Sequence, residues 1–566
     1  MRAAGFFQLL LAGLGLGCVS SDRAAPLDTT QPRLVVVIAV DQMIPEQLTR
    51  LAPCFEGGLA RLMEEGRSYP EAALSYFDTE TGPGHATLAT GCLPRTHGVV
   101  SNSYLDREEG RWAYCVSDHS ATALYDTGPA SAEELKRKRH RISAKRLRRP
   151  SLGEYLARAH PGSRTVAISP KDRAAVTLAG RAPGWALWWD KHGRGFVSSS
   201  AWGTRLPDWV GEWNRGDWSA VAGSTWEPLE SCAGSDTQTG ADERAGEAKL
   251  PSGSRVFPHT APELGDEPGE ADWERLSRWI YQSPAADRFV VDMGLAAVAG
   301  EDLGSDDVPD LLALSFSACD TVGHACGPYS AEVTDVMLRL DRELGRLFTG
   351  LDERVGAGRW VAVLSSDHGV LRLPEHIPGG GAAGRTGSDA HKAMAGSVKA
   401  ALVNEFGGDF KLKTSGYGLY LNDEQMAAAK AAGVSAELVR AVARDALLEA
   451  SFATAAWTLD ELRTMGAPAP ADRSHLAFVL ASFIPERSAD VLWLPRSGYL
   501  HLMKSGTTHG TSHAYDRRIP LIFYGRPFAP GVIDGPADSM DAVPTLLKSL
   551  GLEVPDGLDG RVLAPR

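Results

Sequence analysis

The chain's capacity for chemistry is concentrated in six aspartates and histidines: Asp41, Asp320, His324, Asp367, His368 and His509. Asp320 and His324 stand four apart in "CDTVGHACGP", Asp367 and His368 are adjacent in "SSDHG", and His509 lies in "GTTHGTSHAYD". Each has a plain structural alternative: an aspartate after a strand often caps a turn, and a histidine among glycines often binds backbone. Taken together they suit a metal centre. Zinc accepts imidazole nitrogen and carboxylate oxygen, usually in four-coordinate sites, although the same donors admit Mn2+, Fe2+ or Co2+. Six ligands divide naturally into two groups of three, each with room for a reacting oxygen. Two ions about 4 Å apart can activate an attacking oxygen and stabilise a leaving one in a single in-line displacement.

A nucleophile for such a displacement stands in "FDTETGPGHATLATG", Phe77 to Gly91. Glycine lets the backbone approach a ligand, and Pro83 suits the first turn of a helix beginning near residue 84. Thr81 then sits at the mouth of a helix N-terminus, where free N–H groups attract anions. An ordinary N-cap is the alternative. Lys171 and Arg173 in "PKDR" can grip an anion, Arg by chelating two oxygens and Lys as a point charge. A solvated turn is the alternative for them, and for Asn102 in "HGVVSNSYLD" it is a turn asparagine.

These residues must be held by strands and helices. "RLVVVIAVDQM" ends its apolar run at Asp41, "RTVAISPKDR" leads to Lys171 and Arg173, "DLLALSFSACD" ends at Asp320, and "WVAVLSSDHG" ends at Asp367 and His368. Short β-branched runs of this kind suit strands buried on both faces of a sheet. Between them, "SAEVTDVMLRLDRELGRLFTGL" places Val333, Val336, Met337, Leu340, Leu344, Leu347 and Leu351 on one helical face. Alternating strands and helices give an α/β fold with a largely parallel central sheet flanked by helices. Such folds bind ligands at the strands' C-terminal ends. Two regions, about 183–300 and about 371–500, break the pattern and read as cap insertions. The first holds a Trp-rich stretch, whose alternatives are a packed core or a stacking surface, and an acidic Gly/Ser-rich piece expected as a surface loop.

The 566 residues are 43% hydrophobic and 23% charged, with a formal net charge of −13. That balance argues against a general surface for nucleic-acid polymer or anionic membrane, so positive charge for an anionic substrate must be local. Residues 1–18 read as a secretory signal, with an apolar run from Phe6 to Leu16. "LGLGC" resembles a lipoprotein box, and a lipidated Cys18 or a plain cleaved leader stand as equal alternatives. Export places the protein in the periplasm or outside the cell, outer-membrane-anchored if Cys18 is lipidated. Six further cysteines fit no zinc knuckle or redox motif.

The motifs "VDQM", "TGPGHATLATG", "PKDR", "DTVGHACGP", "SSDHG" and "GTTHGTSHAYD" resemble, in order, those of the alkaline phosphatase superfamily. More narrowly they are similar to its phosphate-irrepressible alkaline phosphatases with a threonine nucleophile. The resemblance covers residues 30–566 as one catalytic domain and implies two zinc ions per chain. It implies Thr81 as nucleophile, forming a phosphothreonine intermediate. One zinc is then held by Asp41, Asp367, His368 and the Thr81 oxygen, and the other by Asp320, His324 and His509. Lys171, Arg173 and Asn102 match the groups that bind phosphate, although Ser103 replaces the usual second asparagine.

The resemblance leaves the ester class to be decided. A monoester brings up to two negative charges to Lys171 and Arg173, whereas a diester brings one and a second organic group. The reading is therefore a phosphatase of small phosphomonoesters, acting as a monomer, with a phosphodiesterase or nucleotide pyrophosphatase as the alternative. A binding protein without catalysis is the more distant alternative, which the intact ligand set disfavours. Cys92-Leu93-Pro94-Arg95 lacks one residue of a sulfatase motif, so Cys92 is expected buried or disulfide-bonded. His85 is assigned a helix-start role, and His513 and Asp516 are assigned to orienting a ligand.

Overall fold

The computed structural model describes Met1 and residues 31–126, 128–129, 141–192, 195–216, 218–229, 241–377, 384–449, 453–469, 471–501 and 503–563. The leader with Cys18, and residues 232–240 of the acidic Gly/Ser-rich piece with Cys232, lie outside the described residues.

Five parallel strands form the middle of the molecule: β1 (Leu34–Val40), β2 (Thr165–Ser169), β3 (Gly184–Asp190), β4 (Asp310–Phe316) and β5 (Trp360–Ser365). Their spatial order is β5-β1-β4-β2-β3. Antiparallel strands extend both edges, with β6 (Leu521–Tyr524) beside β5 and Gly195–Ser199 beside β3, within an eleven-stranded sheet. β1 shows why the run is apolar throughout. Leu34, Val36, Ile38 and Val40 enter the core on one face of the sheet, while Val35, Val37 and Ala39 enter the core on the other.

Register sets the height of the site residues. Ala39 pairs with Ser315 of β4 and with Ser365 of β5, so Asp41 and Asp367 emerge level with one another just past the strand ends. Helices α1 (Thr81–Thr90), α2 (Asp172–Ala179) and α3 (Ala318–Cys326) begin at that same end of the sheet. α4 (Ala331–Leu351) starts where the Ser330 hydroxyl accepts from the Val333 amide. All seven apolar residues expected on one face of α4 are buried in the core.

α1 begins earlier than the sequence suggests. Thr81 is its first residue, and Glu80, in extended conformation, occupies the cap position. Proline is harmless anywhere in the first turn, where its missing N–H has no helical partner, so Pro83 did not fix the boundary.

The region 183–300, expected as a cap insertion, is largely part of the main body. It opens with β3 and its antiparallel neighbour, and its helices Glu270–Tyr281 and Ala285–Gly300 pack into the main core. Trp213 meets Phe196 and Phe289 edge-on there, and Trp189 meets Phe196 and Trp213 the same way, so apolar packing claims most of the Trp-rich stretch. Residues 412–495 instead hold a separate antiparallel sheet of Leu412–Ser415, Gly418–Leu421, Ala453–Thr458 and Val491–Pro495. Its own core includes Val398, Leu419, Leu447 and Trp493, and Phe77 joins it from the segment leading to α1. Among the described residues no helix is long and apolar enough to cross a membrane.

Candidate active site

Strand ends bring the carboxylates together. Asp41 follows β1, its amide donating to Phe316 at the end of β4, and Asp367 follows β5. Asp320 lies in the first turn of α3 with His324 one turn on, so an i,i+4 spacing puts both on one helical face. His324 Nε2 is 3.1 Å from Asp320 Oδ1, and His509 Nε2 is 3.7 Å from the same oxygen. On the other side His368 Nε2 lies 3.5 Å from Asp41 Oδ1 and 3.4 Å from Asp367 Oδ2. The His368 and His509 rings stack with centroids 3.4 Å apart, which joins the two groups into one cluster. All six metal-ligand candidates from the sequence thus converge.

The three histidines share one orientation. Nδ1 of His324 faces the Thr507 carbonyl at 2.8 Å, Nδ1 of His368 faces that of Gly369 at 3.0 Å, and Nδ1 of His509 faces that of Thr79 at 2.7 Å. A carbonyl only accepts, so Nδ1 donates in each and Nε2 is the nitrogen turned toward the carboxylates. The partners orienting the ligand rings are therefore backbone. Asp516, expected in that role, accepts from the Thr511 amide and hydroxyl, while His513 bonds the Pro495 carbonyl. They shape the loop beyond His509 rather than its ring.

Charge in this cluster is unbalanced, because three buried carboxylates face one ammonium. Lys171 Nζ donates to Asp41 Oδ2 at 2.6 Å and to Asp320 Oδ2 at 2.5 Å. Burial and the neighbouring Asp320 and Asp367 charges push the Asp41 carboxyl well up. Asp320 and Asp367 pay the same burial penalty, but His324 and Lys171 hold the first well below the usual range, and His368 and His85 the second. Burial takes His368 down to about 4 and His509 well down, whereas the adjacent Asp320 carboxylate outweighs burial and raises His324. Asp41 Oδ1, Asp367 Oδ2 and His368 Nε2 are buried without a hydrogen-bond partner. Orphaned acceptors of this kind are costly unless a cation completes them, so the donor set fits divalent metal.

By proximity alone the tightest trios are Asp320 with His368 and His509, and Asp41 with His85 and Asp367. His85 is nevertheless occupied. Its Nδ1 meets the Thr81 carbonyl at 2.9 Å and its Nε2 the Ser315 hydroxyl at 2.8 Å, so it pins the first turn of α1 to β4. Nδ1 also comes within 3.2 Å of Asp367 Oδ2, which makes the helix-start role a site-shaping one as well.

The candidate nucleophile and anion-binding groups lie beside the metal ligands. Thr81 is buried, and Arg173 Nη2 donates to its Oγ1 at 3.0 Å. Arg173 Nε is buried without a hydrogen-bond partner, leaving part of the guanidinium fork for another acceptor. Asn102 Oδ1 accepts from the Gly82 amide at 2.8 Å, so its NH2 is left as a donor beside Thr81. Two glycines allow this closeness. A Cβ on Gly84 would lie 2.3 Å from the Asp367 carbonyl oxygen, and one on Gly82 would lie 2.9 Å from Asn102 Oδ1. A cavity of about 70 Å³ opens beside Lys171 and Arg173, lined also by Trp188 and Tyr281. Cys92 is a buried free thiol, as are Cys115, Cys319 and Cys326, whereas Cys54 is disulfide-bonded.

Sequence reasoning passed over Gln42 and Glu80. Gln42 takes a positive φ of 69°, donates its amide NH2 to Asp320 Oδ1 at 2.8 Å and its backbone N–H to Asp367 Oδ1 at 3.1 Å. One residue thereby ties the two groups of ligands together. Its signal was adjacency to Asp41, which side-chain type alone does not reveal.

The fold and this cluster define a hydrolytic enzyme of the alkaline phosphatase superfamily. The chain belongs to the Type I phosphodiesterase / nucleotide pyrophosphatase family, whose profile matches residues 35–516. It is 29% identical over 548 residues to alkaline phosphatase PafA of Elizabethkingia meningoseptica, covering 94% of each chain. It is 28% identical over 557 residues to alkaline phosphatase PhoV of Synechococcus elongatus, covering 95% of this chain and 93% of that one. The crystal structure of wild-type PafA superposes with a TM-score of 0.81 over 95% of this chain and 99% of that chain. A PafA variant substituted at a threonine, an asparagine, a lysine and an arginine superposes with the same TM-score.

Proposed function

We propose that this protein hydrolyses small phosphate monoesters, with Thr81 as nucleophile and two zinc ions as cofactors. The observation that carries this reading is the Arg173 guanidinium on the Thr81 hydroxyl, 3.0 Å away, with an unpartnered Nε beside it. A cationic fork at the attacking oxygen binds the non-bridging oxygens of the phosphate that Thr81 attacks. PafA and PhoV, matched over nearly the whole chain, are named alkaline phosphatases, and the substituted PafA residues are of the same four types as Thr81, Asn102, Lys171 and Arg173.

Asp41, Asp367, His368 and the Thr81 oxygen would hold one zinc, and Asp320, His324 and His509 the other. Assigning His368 rather than His85 to the first set follows from the occupied nitrogens of His85. When bound, the two ions supply Lewis acidity at the attacking and leaving oxygens. Thr81 Oγ1 forms a bond to phosphorus as the bond to the leaving alcohol oxygen breaks, giving phosphothreonine, which water then cleaves to inorganic phosphate. Arg173 and Asn102 hold two phosphate oxygens, and Lys171 adds positive charge between the ligand sets. Residues 30–566 form the catalytic unit, and the sheet at 412–495 belongs to a cap insertion. Export through the leader, with an anchor at Cys18 only where that cysteine is lipidated, and a monomeric state complete the reading, with no polymeric nucleic acid as substrate.

The second reading, a phosphodiesterase, is favoured by the family profile. Hydrolysis of an aryl phosphate monoester beside its diester, on zinc-loaded protein and on Thr81→Ala and Arg173→Ala, separates the two. Monoester preference that collapses in Arg173→Ala supports the proposal. Diester preference indifferent to Arg173 replaces it with the second reading.

A further inference from the structure

Glu80 makes contacts that its place next to the nucleophile does not require. As the cap residue of α1 it gives no side-chain hydrogen bond to the helix. Its carboxylate turns instead to the segment carrying Asn102. Oε2 accepts from the Ser101 hydroxyl at 2.9 Å and from the Asn102 backbone N–H at 2.6 Å. Asn102 in turn bonds the Gly82 amide through Oδ1 at 2.8 Å. The path from Glu80 through Asn102 to Gly82 therefore closes a ring of hydrogen bonds around Thr81. Two hydrogen bonds on one acceptor oxygen, from a hydroxyl and a backbone N–H of adjacent residues, fix the position of that segment.

The same carboxylate meets the cap. Glu80 Oε1 and both Asp78 carboxylate oxygens surround Gly416, each within 3.7 Å of where a Cβ would stand. Ser415 Oγ, one residue before Gly416, donates to the Ser103 carbonyl at 2.7 Å. The hairpin 412–421 thus packs against both Glu80 and the segment carrying Asn102.

We propose that Glu80 is a positioning residue, holding the Asn102 amide at the phosphate subsite through an acceptor oxygen rather than through its charge. This rests on Asn102 binding phosphate, as in the reading above. Loss of the acceptor lets the 101–103 segment drift, and a misplacement of about 1 Å at a transition-state donor costs rate out of proportion to stability.

The test is a double-mutant cycle on zinc-loaded protein, read as kcat/KM for an aryl phosphate monoester and as inhibition by inorganic phosphate. Asn102→Ala, Glu80→Ala, the double variant and Glu80→Gln are compared, with thermal unfolding of each. Asn102→Ala and Glu80→Ala should each lower kcat/KM by about tenfold or more and weaken phosphate inhibition. The double variant should be no more than about threefold worse than Asn102→Ala alone. Glu80→Gln keeps a carbonyl oxygen for both bonds and should recover most of the activity. Losses that multiply in the double variant, or a Glu80→Gln as poor as Glu80→Ala, overturn the positioning role. If Asn102→Ala itself changes neither measurement, the phosphate-binding reading of Asn102 fails, and the proposal with it. A Glu80→Ala that unfolds at markedly lower temperature leaves Glu80→Gln and phosphate inhibition to decide.

Discussion

The two groups of metal-ligand candidates are built differently. Asp41, Asp367 and His368 emerge from adjacent parallel strands and have no exposed side-chain surface. Asp320, His324 and His509 come from a helix and a loop, and the His324 side chain is 35% exposed. In the proposed reaction the buried group would serve the attacking Thr81 oxygen and the open group the departing alcohol. The contrast teaches that burial is concentrated on one side of the cluster and solvent access on the other.

Breaking the buried side should cost most. Thr81→Ala should lower monoester kcat/KM by at least about 10³-fold, measured by steady-state hydrolysis. Asp367→Asn should approach that loss and also release metal, measurable by elemental analysis. Arg173→Ala comes next, at about 10²-fold on the monoester and far less on the diester. His324→Ala should be milder, at about tenfold, and partly recoverable by raising zinc in the assay. If His324→Ala and Asp367→Asn prove equally severe and equally refractory to zinc, the asymmetry drawn here is wrong.

Stability readouts sharpen the same comparison. Gly84→Ala should destabilise by about 1–3 kcal/mol, since its Cβ meets the backbone of Asp367 and not a flexible side chain. Thermal unfolding of that variant checks it. The smallest effect concerns Asp538, outside both ligand groups, whose carboxyl is pushed up to about 7 by burial and by Asp541. The folded state then holds a proton that the unfolded chain has lost between about pH 4 and 7, so stability falls as pH rises through that window. Asp538→Asn should flatten the change in unfolding temperature between pH 5 and pH 8, leaving whatever slope the metal-ligand groups contribute.

Much of this was legible in sequence because each parallel strand is apolar along its length and ends on a chemically distinct residue. Asp41, Asp367 and Lys171 needed only that rule, and the α4 face needed only helical periodicity. Two kinds of information were missing. One was partner identity: Gln42 and Glu80 act through backbone amides and neighbouring side chains, which no residue-type pattern encodes. The other was sheet membership. Gly184–Asp190 and Gly195–Ser199 read as insertion because the region breaks the strand–helix alternation, yet the hydrogen-bonded ladder claims both strands.

The level register of β1, β4 and β5 has a consequence for how the protein comes to life. β1 lies hundreds of residues before its neighbours β4 and β5, and a slip of one residue would turn an aspartate to the wrong face. Pairings between such distant segments form slowly, because the chain must close long loops first. The ligand cluster therefore cannot exist in a half-finished chain. Metal capture is a late event of folding, and uptake of the ions doubles as a check that distant parts of the polypeptide have met in the correct alignment.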